Sequence, residues 1–354
     1  MKRANLLIMA GVLVMSITGC TSIGEESDGS SIMEPIEQNT DGSGQTADDQ
    51  TTAGNQAVDN ETDGNNGAAA GDSLEGLIAG QNTLSFKYYK NNVFNNEVPA
   101  LSYEDEVIAH IDTDKEYTLP EFKDALNTLF HDSNQWYMEG DVGSMDNAYI
   151  DCGADGVKEM ALRLTGPFVE PDSSMTYIIK EIDSKLEVVY AYAEWARSET
   201  SVNEYGFISG GGSNGASNHC YDTACIDANG KYQFGFYEEE EASLEQFGYL
   251  REHADFDATS LDGTLCVYSL RLDPSTETDY EPQFYSYDVY DSNYDKMNVP
   301  NLYTDSQYKT VMDSFKGITF ITMDELKQKE DEKLKSIGVT DQIKNGAAPT
   351  FTKI

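Results

Sequence analysis

Basic residues are scarce in this 354-residue sequence. It contains 23 Lys and Arg against 63 Asp and Glu, so its formal net charge at pH 7 is −40. Proteins that bind nucleic acid or anionic lipid need basic patches, because phosphate contacts supply much of the affinity. The composition therefore argues against nucleic acid as a partner. It favours either plain solubility outside the cell or attraction for cations and basic peptides.

Long apolar runs are confined to the N-terminus, which reads MKRANLLIMAGVLVMSITGC. Lys2 and Arg3 precede an apolar run from Ala4 to Met15, which is shorter than the about 20 residues that a membrane-spanning helix needs. A charged start, a short apolar run and small residues before its end are typical of a secretory signal peptide. The sequence predicts that residues 1–19 are such a signal peptide.

The last four residues of this segment, Ile17-Thr18-Gly19-Cys20, resemble the lipobox of bacterial lipoproteins. That family usually has Leu where this chain has Ile17, followed by two small residues and the cysteine that is lipidated. The resemblance implies that the chain is cut before Cys20 and that the thiol of Cys20 carries diacylglycerol. Such an anchor holds a protein on the extracytoplasmic face of the cell membrane. The alternative is an ordinary secretory signal that ends in an unmodified cysteine.

Aromatic residues, Lys and Arg are all absent from residues 21–72, which contain twelve Asp or Glu among small and polar residues. Such a composition cannot form a hydrophobic core. We predict that residues 20–72 are the lipidated cysteine followed by a disordered acidic linker. The linker suits a tether for an extracytoplasmic domain at residues 73–354, and a binding tail is the alternative.

Cysteine is also scarce, with four residues besides Cys20: Cys152, Cys220, Cys225 and Cys266. An even number in an exported chain permits disulfides, with Cys220 to Cys225 and Cys152 to Cys266 as the pairs to consider. Buried free thiols are the alternative. Zinc is the least favoured choice, because no C-x-x-C pair occurs.

Two helices are predicted by capping boxes, in which Thr118 precedes Glu121 and Thr322 precedes Glu325. A third helix is predicted within residues 305–317. Several other segments are rich in β-branched and aromatic residues and predict strands. One of these strands reads DEVIAHID, at residues 105–112.

The clearest predicted hairpin is MTYIIKEIDSKLEVVYAYA, which turns at Asp183 to Lys185. Both of its strands carry apolar residues on both faces, which indicates a sheet that is covered on each side. The predicted fold class is α+β, with a largely antiparallel sheet and a few flanking helices after the disordered N-terminal tether.

The stretch DCGADGVKE, residues 151–159, lies between two predicted strands. An EF-hand calcium loop uses oxygen ligands at alternate positions and a bidentate Glu at position 12. Asp151, Asp155 and Glu159 supply carboxylates here, but Gly153 and Leu162 stand where ligands are required. The count predicts a turn with Gly156 at positive φ and at most weak calcium affinity, and no other cofactor is predicted.

The D-x-x-x-D-G-x-x-E pattern of this stretch resembles the calcium loops of integrin-like FG-GAP repeats. It also resembles a loop of uncharacterised surface lipoproteins of clostridial-type bacteria. The resemblance covers about ten residues, and it implies that Asp151, Asp155 and Glu159 are the metal ligands. Gly153 departs from the pattern, because a ligand is usual there.

The segment Gly211-Gly212-Ser213-Asn214-Gly215 matches the G-x-S-x-G pattern of a nucleophile elbow. Asp227 and His253 follow Ser213 in the order found in α/β-hydrolases, so a serine hydrolase with His253 as the base is one hypothesis. The residues after Gly215 lack the helical periodicity that an elbow requires. We therefore predict a flexible surface loop here.

Tyrosine is abundant between residues 280 and 308, and such rings can stack on sugars. The predicted stacking residues are Tyr285, Tyr287 and Tyr290, although tyrosine is also a common strand residue. Taken with the signal peptide and the tether, the sequence predicts a lipid-anchored, non-catalytic protein that binds a cell-wall sugar or a peptide. The alternative is an anchored hydrolase that uses Ser213.

Overall fold

The structure, a computed structural model, describes residues 70–93, 103–254, 260–273 and 281–354. The predicted signal peptide, Cys20 and most of the predicted tether lie outside these residues. The described helices are α1 (Ala70–Ile78), α2 (Lys87–Asn92), α3 (Tyr103–His110), α4 (Leu119–Phe130), α5 (Leu244–Leu250), α6 (Gln307–Met312), α7 (Met323–Ser336) and α8 (Asp341–Lys344).

The strands in the same described residues are β1 (Leu84–Ser85), β2 (Ser144–Ile150), β3 (Glu159–Gly166), β4 (Ser173–Ile182), β5 (Lys185–Glu194), β6 (Ser198–Val202), β7 (Phe207–Ser213), β8 (Asn218–Ile226), β9 (Tyr232–Glu241), β10 (Thr264–Arg271), β11 (Phe284–Tyr290) and β12 (Thr352–Lys353). They form two six-stranded sheets. Sheet A has the order β1-β5-β4-β3-β2-β12 and sheet B the order β11-β10-β9-β8-β7-β6.

Sheet A is built around the predicted hairpin, which β4 and β5 form as an antiparallel pair. Asp183 and Ser184 have φ of 50° and 62° and connect the two strands. Two successive positive φ values are what a tight hairpin turn requires, because this turn follows the twist of the strands. At one edge of the sheet, β12 pairs antiparallel with β2 and covers its outer side.

Both faces of sheet A are covered, as the apolar pattern of the hairpin predicts. One face packs against helices α1 to α4, where Ile179 and Val188 join the same cluster as Phe122. The other face packs against sheet B, where Ile178 and Val189 meet residues of β6 to β8.

Sheet B carries apolar residues on both faces as well. On one face, Cys266, Tyr268 and Leu270 pack against Leu326 and Leu334 of α7, and we call this the α7 face. On the opposite face, alternate residues of β10 and β11 pack against α5 and α6. The same opposite face meets sheet A through β6, β7 and β8.

These elements confirm the predicted α+β class, with two mostly antiparallel sheets and several helices. The capping boxes of α4 and α7 are confirmed, since the side chains of Thr118 and Thr322 accept from the backbone N–H groups of Glu121 and Glu325. The predicted strand at residues 105–112 is wrong. It forms α3, in which Val107 and Ile108 enter the core.

None of the helices in the described ranges has the length and apolar character that crossing a membrane requires.

Candidate functional site

The site lies on the α7 face of sheet B, at its β6 edge, where cross-strand pairing brings distant residues into two rows. Because side chains alternate between the faces of a strand, residues that pair directly share one face. In the serine row, Ser213 pairs with His219, His219 pairs with Glu240, and Glu240 pairs with Tyr268.

The tyrosine row lies next to the serine row and runs Glu199, Gly211, Tyr221 and Glu238. Its members come from four adjacent strands, β6 to β9. Gly211 has no side chain, which leaves room above its backbone for the ring of Tyr221.

An open groove of about 640 Å³ covers the outer part of both rows. Its lining is formed by residues 194, 196–201, 209–213, 219 and 221. The side chains of this lining carry hydroxyl, carboxylate, guanidinium, imidazole and phenol groups, and three consecutive glycines expose the backbone of β7. Ala196 supplies the one aliphatic side chain of the groove within the described residues.

Tyr221 is the aromatic residue of the groove, and its side chain is 43% exposed. Its ring leans over Gly211, because a Cβ on that glycine would lie 3.6 Å from Tyr221 Cδ1. Aromatic side chains often cover a cross-strand glycine in this way. Burial raises the pKa of the Tyr221 phenol, and the nearby carboxylates of Glu240 and Glu238 raise it further. The phenol is therefore neutral and can donate a hydrogen bond.

The rim of the groove is held in place by several polar contacts. Arg197 Nη2 donates to the carbonyl of Ser213 at 3.2 Å, and the hydroxyls of Ser201 and Ser209 lie 3.1 Å apart. Glu194 Oε2 accepts from the hydroxyl of Ser174 at 3.1 Å. Burial raises the pKa of Glu194 above its usual value. These groups offer both donors and acceptors to a polar ligand.

Four consecutive glutamates, Glu238 to Glu241, occupy β9 in the middle of sheet B. Such a charge run is usually a solvated surface. Here Glu238 and Glu241 are each only 6% exposed. Alternation directs Glu238 and Glu240 to the α7 face and the other two to the opposite face.

The Glu238 carboxylate meets α7 at Lys327, whose Nζ lies 3.3 Å from Glu238 Oε2 and 3.1 Å from Glu330 Oε1. Burial and the hydrogen-bonded Glu238 raise the pKa of Glu330 to about 7. One lysine thus contacts both carboxyl groups.

The hydrolase residues predicted from the sequence are not brought together. Ser213 shares the α7 face with Tyr268, whereas the His253 ring packs on Phe315 in the cluster on the opposite face. Asp227 Oδ1 accepts from the backbone N–H groups of Asn229 and Lys231 in the β8–β9 turn. The chain after Ser213 continues into β8, a strand, so it is not a nucleophile elbow, and the predicted flexible loop is also wrong.

Ser213 also lacks the surroundings of a nucleophile. Its hydroxyl donates to the carbonyl of Gly215 at 2.7 Å. The backbone N–H of Ser213 donates to Arg197 and that of Asn214 to Asn218, at 3.2 and 3.0 Å. These two N–H groups are therefore committed and do not form an oxyanion hole.

Residues 151–158 form the turn that joins the antiparallel strands β2 and β3. Asp151 Oδ1 accepts from the N–H groups of Asp155 and Gly156 at 2.9 and 3.0 Å, and Gly156 has φ of 85°. Glu159 points inward instead and is fully buried. Its carboxylate pairs with Lys180 and accepts from the Cys152 N–H. Two of the three predicted calcium ligands therefore face the loop, and the third faces the core.

No cluster of three or more His, Cys, Asp or Glu within the described residues is placed to hold a metal ion. Weak calcium binding at residues 151–159 therefore stays a prediction that rests on the sequence.

The predicted disulfide pairs are wrong. All four cysteines, Cys152, Cys220, Cys225 and Cys266, have free thiols. Cys220 and Cys225 point to opposite faces of β8, about 16 Å apart along the strand, which a disulfide cannot span. Cys152 and Cys266 belong to different core clusters.

The three tyrosines predicted to stack on sugars do not present free ring faces to a ligand. Tyr285 and Tyr287 are only 7% and 1% exposed, because they pack against α5 and α6. The Tyr290 hydroxyl lies 2.7 Å from that of Tyr268 in the cluster on the α7 face. Within the groove, the exposed ring is that of Tyr221, which lies outside the tyrosine-rich segment.

His219, Tyr221, Glu199 and Glu240 were missed because their proximity depends on strand register. One signal was available: Asn214-Gly215 is a common hairpin turn pair, and it lies between β7 and β8. A two-residue turn at this pair would place Ser213 opposite Ala216, whereas the hairpin in the structure is wider and pairs Ser213 with His219. The signal therefore predicts the hairpin and not its register.

Comparison of the chain with known proteins gave no match to a family model, to a curated protein or to a solved structure. The assignment of a function therefore depends on the geometry described above.

Proposed function

We propose that this protein is a lipid-anchored, extracytoplasmic binding protein whose ligand occupies the groove on β6 to β8. The anchor is inferred from the N-terminal sequence alone, in which Lys2 and Arg3, the apolar run and the lipobox lead to Cys20. The binding role is inferred from the groove, and it involves no catalytic step.

The observation that carries the binding role is the exposed ring of Tyr221 beside a glycine-lined floor. A ring face, a flat backbone surface and surrounding polar groups provide contact area together with hydrogen bonds. The committed N–H groups at Ser213 and Asn214 support binding over catalysis.

The binding role is tested with soluble peptidoglycan fragments and calorimetry on the mature protein. We expect Tyr221→Ala to weaken binding about tenfold, as the loss of a central aromatic contact does. Tyr249→Ala is the matched control, because Tyr249 is 84% exposed on α5, outside the groove. Binding that is equally strong in both variants would place the ligand elsewhere.

The anchor is tested by mass spectrometry of the native N-terminus and by fractionation of Cys20→Ser. We expect a diacylglyceryl modification on Cys20 and membrane association that the variant loses. A native chain that begins beyond Cys20 and carries no lipid would contradict the proposal.

A serine hydrolase is the second candidate, because the serine row places His219 and Glu240 next to Ser213. The hydroxyl of Ser213 would have to leave Gly215 to reach His219. We expect no labelling of Ser213 by a fluorophosphonate probe. Labelling that Ser213→Ala and His219→Ala both abolish would establish the hydrolase instead.

A further inference from the structure

We infer that the ligand of the groove is an uncharged saccharide, with one sugar ring stacked on Tyr221. This inference rests on the proposed binding function and specifies its ligand class. Four features of the groove support it: its lining, the distance across its floor, the edge of β6 and its charge.

The lining suits a ligand that is polar around its rim and apolar on its face. Sugar rings have this character, since their C–H faces stack on aromatic rings while their hydroxyls form hydrogen bonds. Tyr221 offers the ring, and Ser201 and Ser209 offer paired hydroxyls. Ala196 is the one aliphatic side chain of the described groove, so an acyl chain would find few aliphatic partners there.

The distance across the floor fits one ring. Glu199 and Tyr221 lie on strands that are two spacings apart, roughly 10 Å. Gly211 alone separates them in the row. A sugar ring on Tyr221 therefore directs its outer hydroxyls at the Glu199 carboxylate, which can accept two hydrogen bonds at once.

The edge of β6 argues against an extended peptide added as a further strand. Arg197 and Asn203 bond to β7, so by alternation Ser198, Thr200 and Val202 direct their backbone groups outward. Ser198 already exchanges both of its hydrogen bonds with Trp195.

The N–H of Val202 interacts with the Tyr192 hydroxyl. Within the described contacts, an added strand would find only the backbone of Thr200 and the carbonyl of Val202. Strand addition depends on a row of main-chain bonds, which this edge does not offer.

The charged groups in and beside the groove distinguish anionic from uncharged saccharides. Glu194 and Glu199 line the groove, and Glu238 and Glu240 adjoin Tyr221, whereas Arg197 is the one guanidinium of the lining. Carboxylates repel uronic acids and phosphorylated sugars but accept hydrogen bonds from neutral hydroxyls. The groove carboxylates therefore disfavour anionic rings, and the Arg197 guanidinium on the rim disfavours cationic ones, which leaves uncharged rings.

The test uses calorimetry of the full mature protein with three probes: N-acetylated chitotetraose, its de-N-acetylated cationic form, and tetralysine. We expect binding of the neutral tetrasaccharide that Tyr221→Ala weakens about tenfold and Tyr221→Phe retains, because phenylalanine keeps the stacking face. Glu199→Gln should weaken it several-fold, and Tyr249→Ala should leave it unchanged.

The remaining outcomes distinguish the uncharged saccharide ligand from the binding function of the groove. Binding of tetralysine, or of the cationic sugar alone, that depends on Tyr221 would overturn the uncharged saccharide while the binding function stands. If no probe and no peptidoglycan fragment binds in a manner that depends on Tyr221, both claims fail.

Discussion

At the scale of single residues, the main result is that several charged side chains are buried against one another. Glu159 pairs with Lys180 in the core below the β2–β3 turn, and Glu238 shares Lys327 with Glu330. Sequence patterns could not distinguish these residues from solvated ones, because burial of a carboxylate depends on partners that come from other elements.

Glu330 makes stability depend on pH. Its pKa is raised from 4.5 to about 7, mainly by burial and then by Glu238. Between these values the folded state keeps a proton that the unfolded state has lost, so stability falls as pH rises through this window.

We expect Glu330→Gln, which mimics the protonated form, to raise the melting midpoint relative to the parent by a few degrees at pH 8 and by much less at pH 5. Glu332→Gln, at an exposed position of α7, is the matched control. An equal shift of Glu330→Gln at both pH values would show that Glu330 titrates normally.

Lys180 neutralises the fully buried Glu159. Lys180→Met should destabilise the protein by about 3 kcal/mol or more in denaturant titrations, because removing one partner leaves an uncompensated buried charge. The double variant Lys180→Met, Glu159→Gln should recover part of this loss. Without any recovery, the loss would have to come from packing of the lysine stem.

The β2–β3 turn should bind calcium weakly, because Glu159 is committed to Lys180 and two loop carboxylates remain. In a melt at millimolar calcium we expect a stabilisation below about 1.4 kcal/mol, which is the value at ten times Kd. A larger effect that chelator removes and that Asp155→Ala lacks would identify a true calcium site.

At the scale of elements, local signals predicted some structures well and others poorly. The capping boxes at Thr118 and Thr322 and the turn at Asp183 depend on neighbours in sequence, and all three are confirmed. The segment at residues 105–112 was misread because Val107, Ile108 and Ile111 fit a short strand and a helix face alike. Tertiary packing on sheet A decides between them.

The glycine in β9 permits an irregularity between β8 and β9. Their register shifts between Thr223 and Ala224, and a Cβ on Gly235 would lie 2.7 Å from the Thr223 carbonyl and 3.1 Å from Leu334 Cδ2. Gly235→Ala should therefore destabilise the protein by about 2 kcal/mol in chemical denaturation. Gly215→Ala is the control, because its Cβ meets nothing within 4 Å.

At the scale of the whole molecule, the fold class followed from composition and periodicity, whereas the site did not. The two rows combine residues of β6 to β10, and their alignment depends on four successive strand registers. A slip of one residue in any of them would send its members to the other face. Such registers are fixed by long-range packing and are not encoded in local sequence.

Residues before α1 are expected to be dispensable, whereas α1 is not. Leu74 and Leu77 of α1 are fully buried in the first core. A chain that starts at Ala70 should melt within a few degrees of the full mature chain, and one that starts at Gly80 should lose several kcal/mol with two buried leucines. A large loss of stability in the chain that starts at Ala70 would mean that the acidic segment packs on the domain.

The pairing of β12 with β2 has a consequence for how the protein reaches its folded state. β2 ends at Ile150 and β12 begins at Thr352, so Asp146 and Asn147 on the outer edge of β2 have no strand partner until the distant β12 folds back onto them. Closing so long a loop is slow, and a bare strand edge can pair with a neighbouring chain. The protein is therefore most prone to aggregation in the interval before β12 pairs with β2.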